Sequence, residues 1–304
     1  MIIVLLASAT ALLVLPYAAH RYGRRLDPER WARVVWAALT TGAIAFECGL
    51  VLLALPTVLR AVGIAQLAAA CNMLLGHLAP GPTEVGWFAA ALAVVFPGRA
   101  AWLGWRTRHT AAALSIEPGL GRHRTFRGYE LVILPTTRVL AYSVHAGLRS
   151  QIVISQAVVD QLNADELTAV LVHEHAHLRH RHQRRLVLAT LLEGTLAPLR
   201  RCTAELRLAL ERWADEDAAA HSGRPTVRRA LLSMLEPLLA TPAVPAFTTA
   251  DTVVERINAL GAPPVAPSSR VLLLTRATLI VLSVSALAAA AGWLFDATRM
   301  LGRA

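Results

Sequence analysis

Four apolar stretches limit this chain more than any other feature, because each is long enough to cross about 30 Å of hydrocarbon as a helix. They cover residues 2–19, 34–59, 85–105 and 277–295. Of 304 residues, 55% are hydrophobic and only 16% charged, against about 25% charged in an ordinary soluble chain. A pair of soluble domains does not fit that composition, and an integral membrane protein does.

Charge then draws the domain map. All 30 basic residues are Arg and the net charge is +10. Residues 1–105 hold 7 Arg and 4 acids, residues 106–270 hold 20 Arg and 15 acids, and residues 271–304 hold 3 Arg and one acid. The expected order is an N-terminal membrane domain over 1–105 with three transmembrane helices, a polar domain over 106–270, and a C-terminal transmembrane helix with a short tail over 271–304. Arg21, Arg24, Arg25, Arg30 and Arg33 follow the first stretch, which by the positive-inside rule puts the loop 20–33 in the cytoplasm. The polar domain is then cytoplasmic, both termini are extracytoplasmic, and the protein is a multi-pass protein of the cell membrane. Its positive charge is read as facing the anionic inner leaflet of the lipid bilayer, with no direct nucleic acid binding.

Several details qualify this map. Residues 62–79 are apolar but interrupted by Gln66, Asn72 and His77, and are read as an interfacial or re-entrant segment. Arg99 can snorkel to the interface beside Trp102 and Trp105. Glu47 is an ionisable group in mid-span. Cys48, Cys71 and Cys202 form no CxxC pair and are read as small buried apolar residues, not as a disulfide framework or thiol metal site.

Within the polar domain, 131–134 and 139–144 have strand character, and 151–155 is expected to pair with the second across the turn at Ala146 and Gly147. The period then changes. Asn163 followed by Glu166 makes a capping box, and Leu167, Val170, Leu171 and Leu178 continue at helical spacing, so a helix is predicted from about Ala164. It carries His173-Glu174-His175-Ala176-His177, the pattern H-E-x-x-H. On a helix, His173 and His177 project from one face one turn apart, so both imidazoles can reach one Zn²⁺ at about 2.0–2.1 Å. Glu174 beside them can take a proton from an attacking water and deliver it to a leaving amine. His175 points off that face. His180 and His182 fall in the Arg-rich continuation and are expected to be solvated or to lie at the membrane surface, because a third His ligand downstream requires a Gly-broken helix that this segment lacks.

A catalytic zinc takes a third protein ligand. Residues 203–221 are strongly helical and end before Gly223, a C-cap signal. They contain Glu211-Arg212-Trp213-Ala214-Asp215, where Glu211 and Asp215 share a face at i, i+4. Glu211 can complete a His₂Glu set, and Asp215 can accept the free N–H of a ligating imidazole.

These residues resemble gluzincin-type membrane metallopeptidases, and most closely the BlaR/MecR-type antirepressor family. The likeness rests on QIVISQ at 151–156, LNADELTAVL at 162–171, then HEHAH and ERWAD, and on three spans before the zinc domain with one after it. It implies a mainly α fold with multi-pass transmembrane helices and an α+β gluzincin-like zinc metallopeptidase domain holding a small β-sheet. It further implies one zinc on His173, His177 and Glu211, Glu174 as the catalytic residue, Asp215 behind a ligand, and a protein substrate such as a winged-helix transcriptional repressor. The family's beta-lactam receptors continue into an extracellular penicillin-binding domain, whereas this sequence ends at Ala304. The expectation is a stimulus entering through the loop 60–84, the spans or a partner sensor protein. Related CAAX-type and HtpX-like proteases resemble Val254-Glu-Arg-Ile-Asn-Ala-Leu, and Arg256 is the candidate for stabilising the oxyanion.

The leading expectation is therefore a membrane zinc endopeptidase with a regulatory substrate. The alternatives are a CAAX/HtpX-like processing or quality-control protease, a non-catalytic zinc-containing signalling protein, and a channel or transporter. A lone intramembrane acid and the lack of an internal repeat weigh against the last. The substrate is expected to add as a strand along 151–155.

Overall fold

The computed structural model describes residues 2–64, 66, 68, 83–114, 120–146, 149–196, 199–239 and 250–263. The expected span at 277–295 and most of the segment 62–79 lie outside the described residues, as does Cys71.

The chain opens with helix α1 (Ile2–Ala18), the single turn α2 (His20–Gly23), and the long helices α3 (Pro28–Ala61) and α4 (Thr83–Leu114). Helix α3 starts where Pro28 takes the first helical position and the Asp27 carboxylate accepts the Arg30 N–H at 3.0 Å, satisfying a donor that the helix itself leaves orphaned. Among the described residues, two helices are long and apolar enough to cross a membrane, α3 and the Thr83–Thr107 part of α4. The apolar run of α1, Leu6–Ala18, is shorter. Helix α1 packs on α3 at Gly42, where an added Cβ would come within 2.9 Å of Leu13 Cγ and 3.1 Å of the Ala9 carbonyl.

The polar domain begins with strands β1 (Arg122–Phe126), β2 (Tyr129–Leu134), β3 (Ala141–Ala146) and β4 (Arg149–Ser155). They form one mixed sheet in the order β1-β2-β4-β3, with β2 parallel to β4 and the other pairs antiparallel. The expected pairing of 139–144 with 151–155 is present as β3 with β4. Strand β1 was not foreseen: its sequence RHRTF is mostly exposed and lacks the apolar alternation of a half-buried strand. It is set by a two-residue turn in which Arg127 and Gly128 both take positive φ (47° and 86°), the backbone that a tight hairpin requires.

One expectation is overturned here. Residues 151–155 lie between β2 and β3 with a neighbour on both sides, so β4 has no free edge for a substrate strand, and the edge strand next to the helix that carries His173 is β3.

Five helices follow: α5 (Gln156–Gln161), α6 (Ala164–Arg179), α7 (His182–Thr195), α8 (Arg200–Ser222) and α9 (Arg224–Leu239); α10 (Ala250–Gly261) is the last described element. The capping box at the start of α6 is complete, with Glu166 N–H on Asn163 Oδ1 at 2.9 Å and Asn163 N–H on Glu166 Oε2 at 3.4 Å. Helix α6 lays Leu171 and Leu178 on the apolar face of the sheet, against Leu131, Ile133, Ile152 and Ile154. Ala169 and Val172 pack instead on Ala218, Val227 and Leu260 of α8, α9 and α10. A separate core joins the membrane-type helices to this domain: Trp31, Val35 and Leu39 of α3 pack with Leu192 of α7 and Leu206, Leu210 and Trp213 of α8. Helix α4 also meets α7, where the Arg99 Nε–H donates to the Gly194 carbonyl.

The chain does not run straight from α6 into α7. Arg181 adopts a left-handed conformation (φ 53°, ψ 42°), which costs an L-residue roughly 1–2 kcal/mol. Arg185 holds the turn by donating to the His180 carbonyl at 2.7 Å. The expected solvated continuation of the HEHAH helix is thereby corrected. The chain folds back at Arg181 and carries His182 inward, where it is fully buried.

Candidate metal centre

The centre is assembled from residues one turn apart on each of two packed helices. His173 and His177 come from α6, Glu211 and Asp215 from α8, and Arg256 reaches in from α10. His173 Nε2 lies 3.1 Å from His177 Nε2 and 3.4 Å from Glu211 Oε2, and His177 Nε2 lies 3.6 Å from Glu211 Oε1. Four ligands about 2.0–2.1 Å from a tetrahedral zinc stand about 3.3 Å apart along each edge. The His173–His177 separation is close to that edge, and each imidazole Nε2 has a Glu211 oxygen within 3.6 Å, a different one for each ring. Two imidazoles, which are neutral when they ligate, and a carboxylate form a borderline donor set of the kind zinc takes in catalytic sites, so the residues present fit the ion. Among the described residues, His173, His177 and Glu211 are the group able to hold a metal.

The electrostatics fix which atoms face inward. The His173 Nδ1–H donates to Asp215 Oδ1 at 3.0 Å, leaving Nε2 for the centre. Arg256 grips Asp215 with two bonds, Nε to Oδ2 at 2.8 Å and Nη2 to Oδ1 at 2.7 Å, and its Nη1 meets Glu211 Oε2 at 3.0 Å. Burial opposes the charge on Asp215, yet the Arg256 guanidinium and His173 hold its carboxyl down to about 2. Burial likewise opposes charge on Glu211, and Arg256 with the two imidazoles carries it well below the usual carboxylate range. Burial pushes His173 down, but its hydrogen bonds to Asp215 and Glu211 outweigh that and raise it to about 10. His177 has no such carboxylate behind it, and burial lowers it.

The six residues singled out in the sequence, His173, Glu174, His177, Glu211, Asp215 and Arg256, thus all line one cleft. Arg256 sits there on two carboxylates. His175 points away from the centre, as expected, with its ring 5.5 Å from that of Tyr129 and 6.3 Å from that of Phe126. His180 and His182 differ from expectation. His180 binds Asp217 Oδ2 at 2.7 Å and lies on Trp213. His182 Nδ1 stands 3.0 Å from His177 Nδ1. Cys202 is buried as read from sequence, but Cys48 is exposed on α3.

Two cavities meet at the centre. One, of about 330 Å³, is walled by Val170, Val227, Ala230, Leu231, Met234 and Leu235 and contains Glu174. The other, of about 880 Å³, extends past Leu103, Arg106 and Thr107 of α4. Tyr142 and Ser143 of β3 line both, so this edge strand of the sheet borders the two cavities. This edge is not legible in the sequence, because strand order is not a local property.

His173, His177 and Glu211 thus stand together in a cleft of the polar domain, which is joined to apolar helices. In the comparison with protein families, residues 113–201 match the model of Peptidase family M48. The match covers less than a third of the chain and includes His173, Glu174 and His177, with Glu211 outside it. The comparisons with curated proteins and with solved structures return no match.

Proposed function

We propose that this protein is a membrane-embedded zinc endopeptidase that cleaves a protein substrate laid along strand β3. The observation that carries the reading is the triangle of His173, His177 and Glu211 at zinc-ligand separations with Glu174 in the same cleft. When bound, zinc supplies Lewis acidity to a water and to a substrate carbonyl. The chain's own residues supply the rest. Glu174 accepts a proton from the attacking water and returns it to the amine that leaves. Asp215 keeps the His173 proton on Nδ1, and Arg256 holds Asp215 and Glu211 in place. Three of the five N–H donors of Arg256 are engaged by those carboxylates; the others are available to a developing oxyanion, the role read for it from the sequence.

Strand β3 fits an extended peptide because, among the described residues, no strand pairs with its outward side. The His145 N–H faces outward, where Gln183 Oε1 accepts it at 2.9 Å, and the two-residue period turns the Ser143 N–H the same way. A peptide pairing there would cross the centre and could place an apolar side chain among Ala230, Leu231 and Met234.

Membrane integration is supported by α3 and α4 and by the large apolar side chains that α4 exposes, Trp87, Phe88, Val94 and Val95 among them. In this reading the zinc domain is cytoplasmic and both termini lie outside, which the Arg distribution supports through the positive-inside rule. A winged-helix repressor as substrate, with a partner sensor protein upstream, is the finer reading and rests on the likeness of QIVISQ, LNADELTAVL and ERWAD to BlaR/MecR-type proteins. The match to Peptidase family M48 keeps a processing or quality-control protease as the second reading. The test is turnover of a protein substrate by purified Glu174→Gln. Turnover is expected to drop by about 10²–10⁴-fold with zinc retained, and unchanged turnover would refute the catalytic assignment.

A further inference from the structure

His182 carries a further inference, which rests on the zinc reading above. Each imidazole of the proposed ligand pair turns Nε2 toward Glu211 and its partner, so each has Nδ1 directed away from the metal position. For His173 that nitrogen meets Asp215. For His177 it meets His182 Nδ1 at 3.0 Å, with ring centroids 4.9 Å apart and nearly perpendicular. A ligating imidazole is neutral and carries its proton on the nitrogen that does not bind the metal. His177 must then donate from Nδ1, and His182 must accept. In the reverse arrangement the proton of His177 would sit on Nε2 and block it.

We infer that His182 is a positioning residue that accepts the Nδ1–H of His177 and so fixes the tautomer and ring orientation in which Nε2 faces the metal.

Three features set this residue apart from one kept only to fill space. Its Nε2 is buried without a hydrogen-bond partner, a situation that an apolar side chain of similar shape would avoid. It is fully buried and wedged against the Trp213 ring at 4.8 Å, so its orientation is held from behind. Its backbone is delivered by the left-handed Arg181, a conformation that side chains rarely adopt without a local reason. Trp213 also lies on α8, two residues after Glu211, and the Arg33 guanidinium of α3 covers it at 5.6 Å. The wall behind His182 is therefore continuous with both the third ligand and a membrane-type helix.

The test separates hydrogen bonding from packing with two variants of the full chain in detergent, each read by zinc affinity in competition with a chelator and by thermal unfolding of the metal-free protein. His182→Phe keeps a ring against Trp213 but accepts no hydrogen bond; its zinc affinity is expected to fall about 10–100-fold with metal-free stability unchanged or higher. His182→Asn offers an oxygen near the Nδ1 position but packs poorly; its zinc affinity is expected to stay within about threefold of the wild type while metal-free stability falls. If the Phe variant does not fold, His182→Leu takes its place. A Phe or Leu variant that binds zinc as tightly as the wild type would overturn the inference, as would equal losses of affinity in the apolar and Asn variants. A wild-type protein that takes up no zinc would instead overturn the zinc reading, and this inference with it.

Discussion

Helix α4 turns Trp87, Phe88, Val94, Val95, Trp102 and Trp105 outward, whereas α8 and α10 bury Asp215 and Arg256. In water each arrangement is unfavourable for its own reason: the first exposes apolar surface and the second desolvates charge. They differ in what compensates. The charges of the metal centre are satisfied within the protein, by one guanidinium shared between two carboxylates and by imidazoles behind them. The apolar face of α4 has no such internal partner among the described residues, and an apolar medium would satisfy it. The same chain thus follows two solvent rules, and the junction between them is the packing of α3 and α4 on α7 and α8.

Removing Arg256 should produce the larger effect of the two that break this contrast. Arg256→Met would leave Asp215 and Glu211 without their cation, and a buried pair broken on one side costs about 3–5 kcal/mol. Thermal unfolding of the metal-free protein should show the drop, and a melting temperature equal to that of the wild type would mean that the cluster is held by other contacts. On the other side of the comparison, Val94 is 72% exposed. Placing Arg there should oppose insertion of α4 by about 2.5–3.5 kcal/mol and reduce the fraction of protein integrated in membranes, resistant to alkaline extraction. An unchanged fraction would show that this face does not meet lipid.

The sequence made the ligands legible because their chemistry is written in helical periodicity. His173 with His177, and Glu211 with Asp215, are each one turn apart, and the capping box at Asn163 and Glu166 marks where the first helix starts. What escaped depends on contacts that spacing does not encode. Strand β1 is polar because most of its side chains face water, so it shows no alternation. The position of β4 inside the sheet follows from the crossover between β2 and β4. The sequence predicts a solvated or membrane-surface His182, because a third His ligand downstream requires a Gly-broken helix; the left-handed residue is an arginine, and tertiary packing on Trp213 overrides its preference. The partnership of Arg256 with Asp215 spans 41 residues and belongs to the folded state alone.

The central claim is that α6 and α8 together hold one zinc ion, and metal content tests it most directly. Wild-type protein purified without chelator and analysed by elemental spectroscopy should contain about one zinc per chain, and His177→Ala, folded by thermal melt, should lose most of it. Full zinc occupancy in that variant, or no zinc in the wild type, would contradict the account.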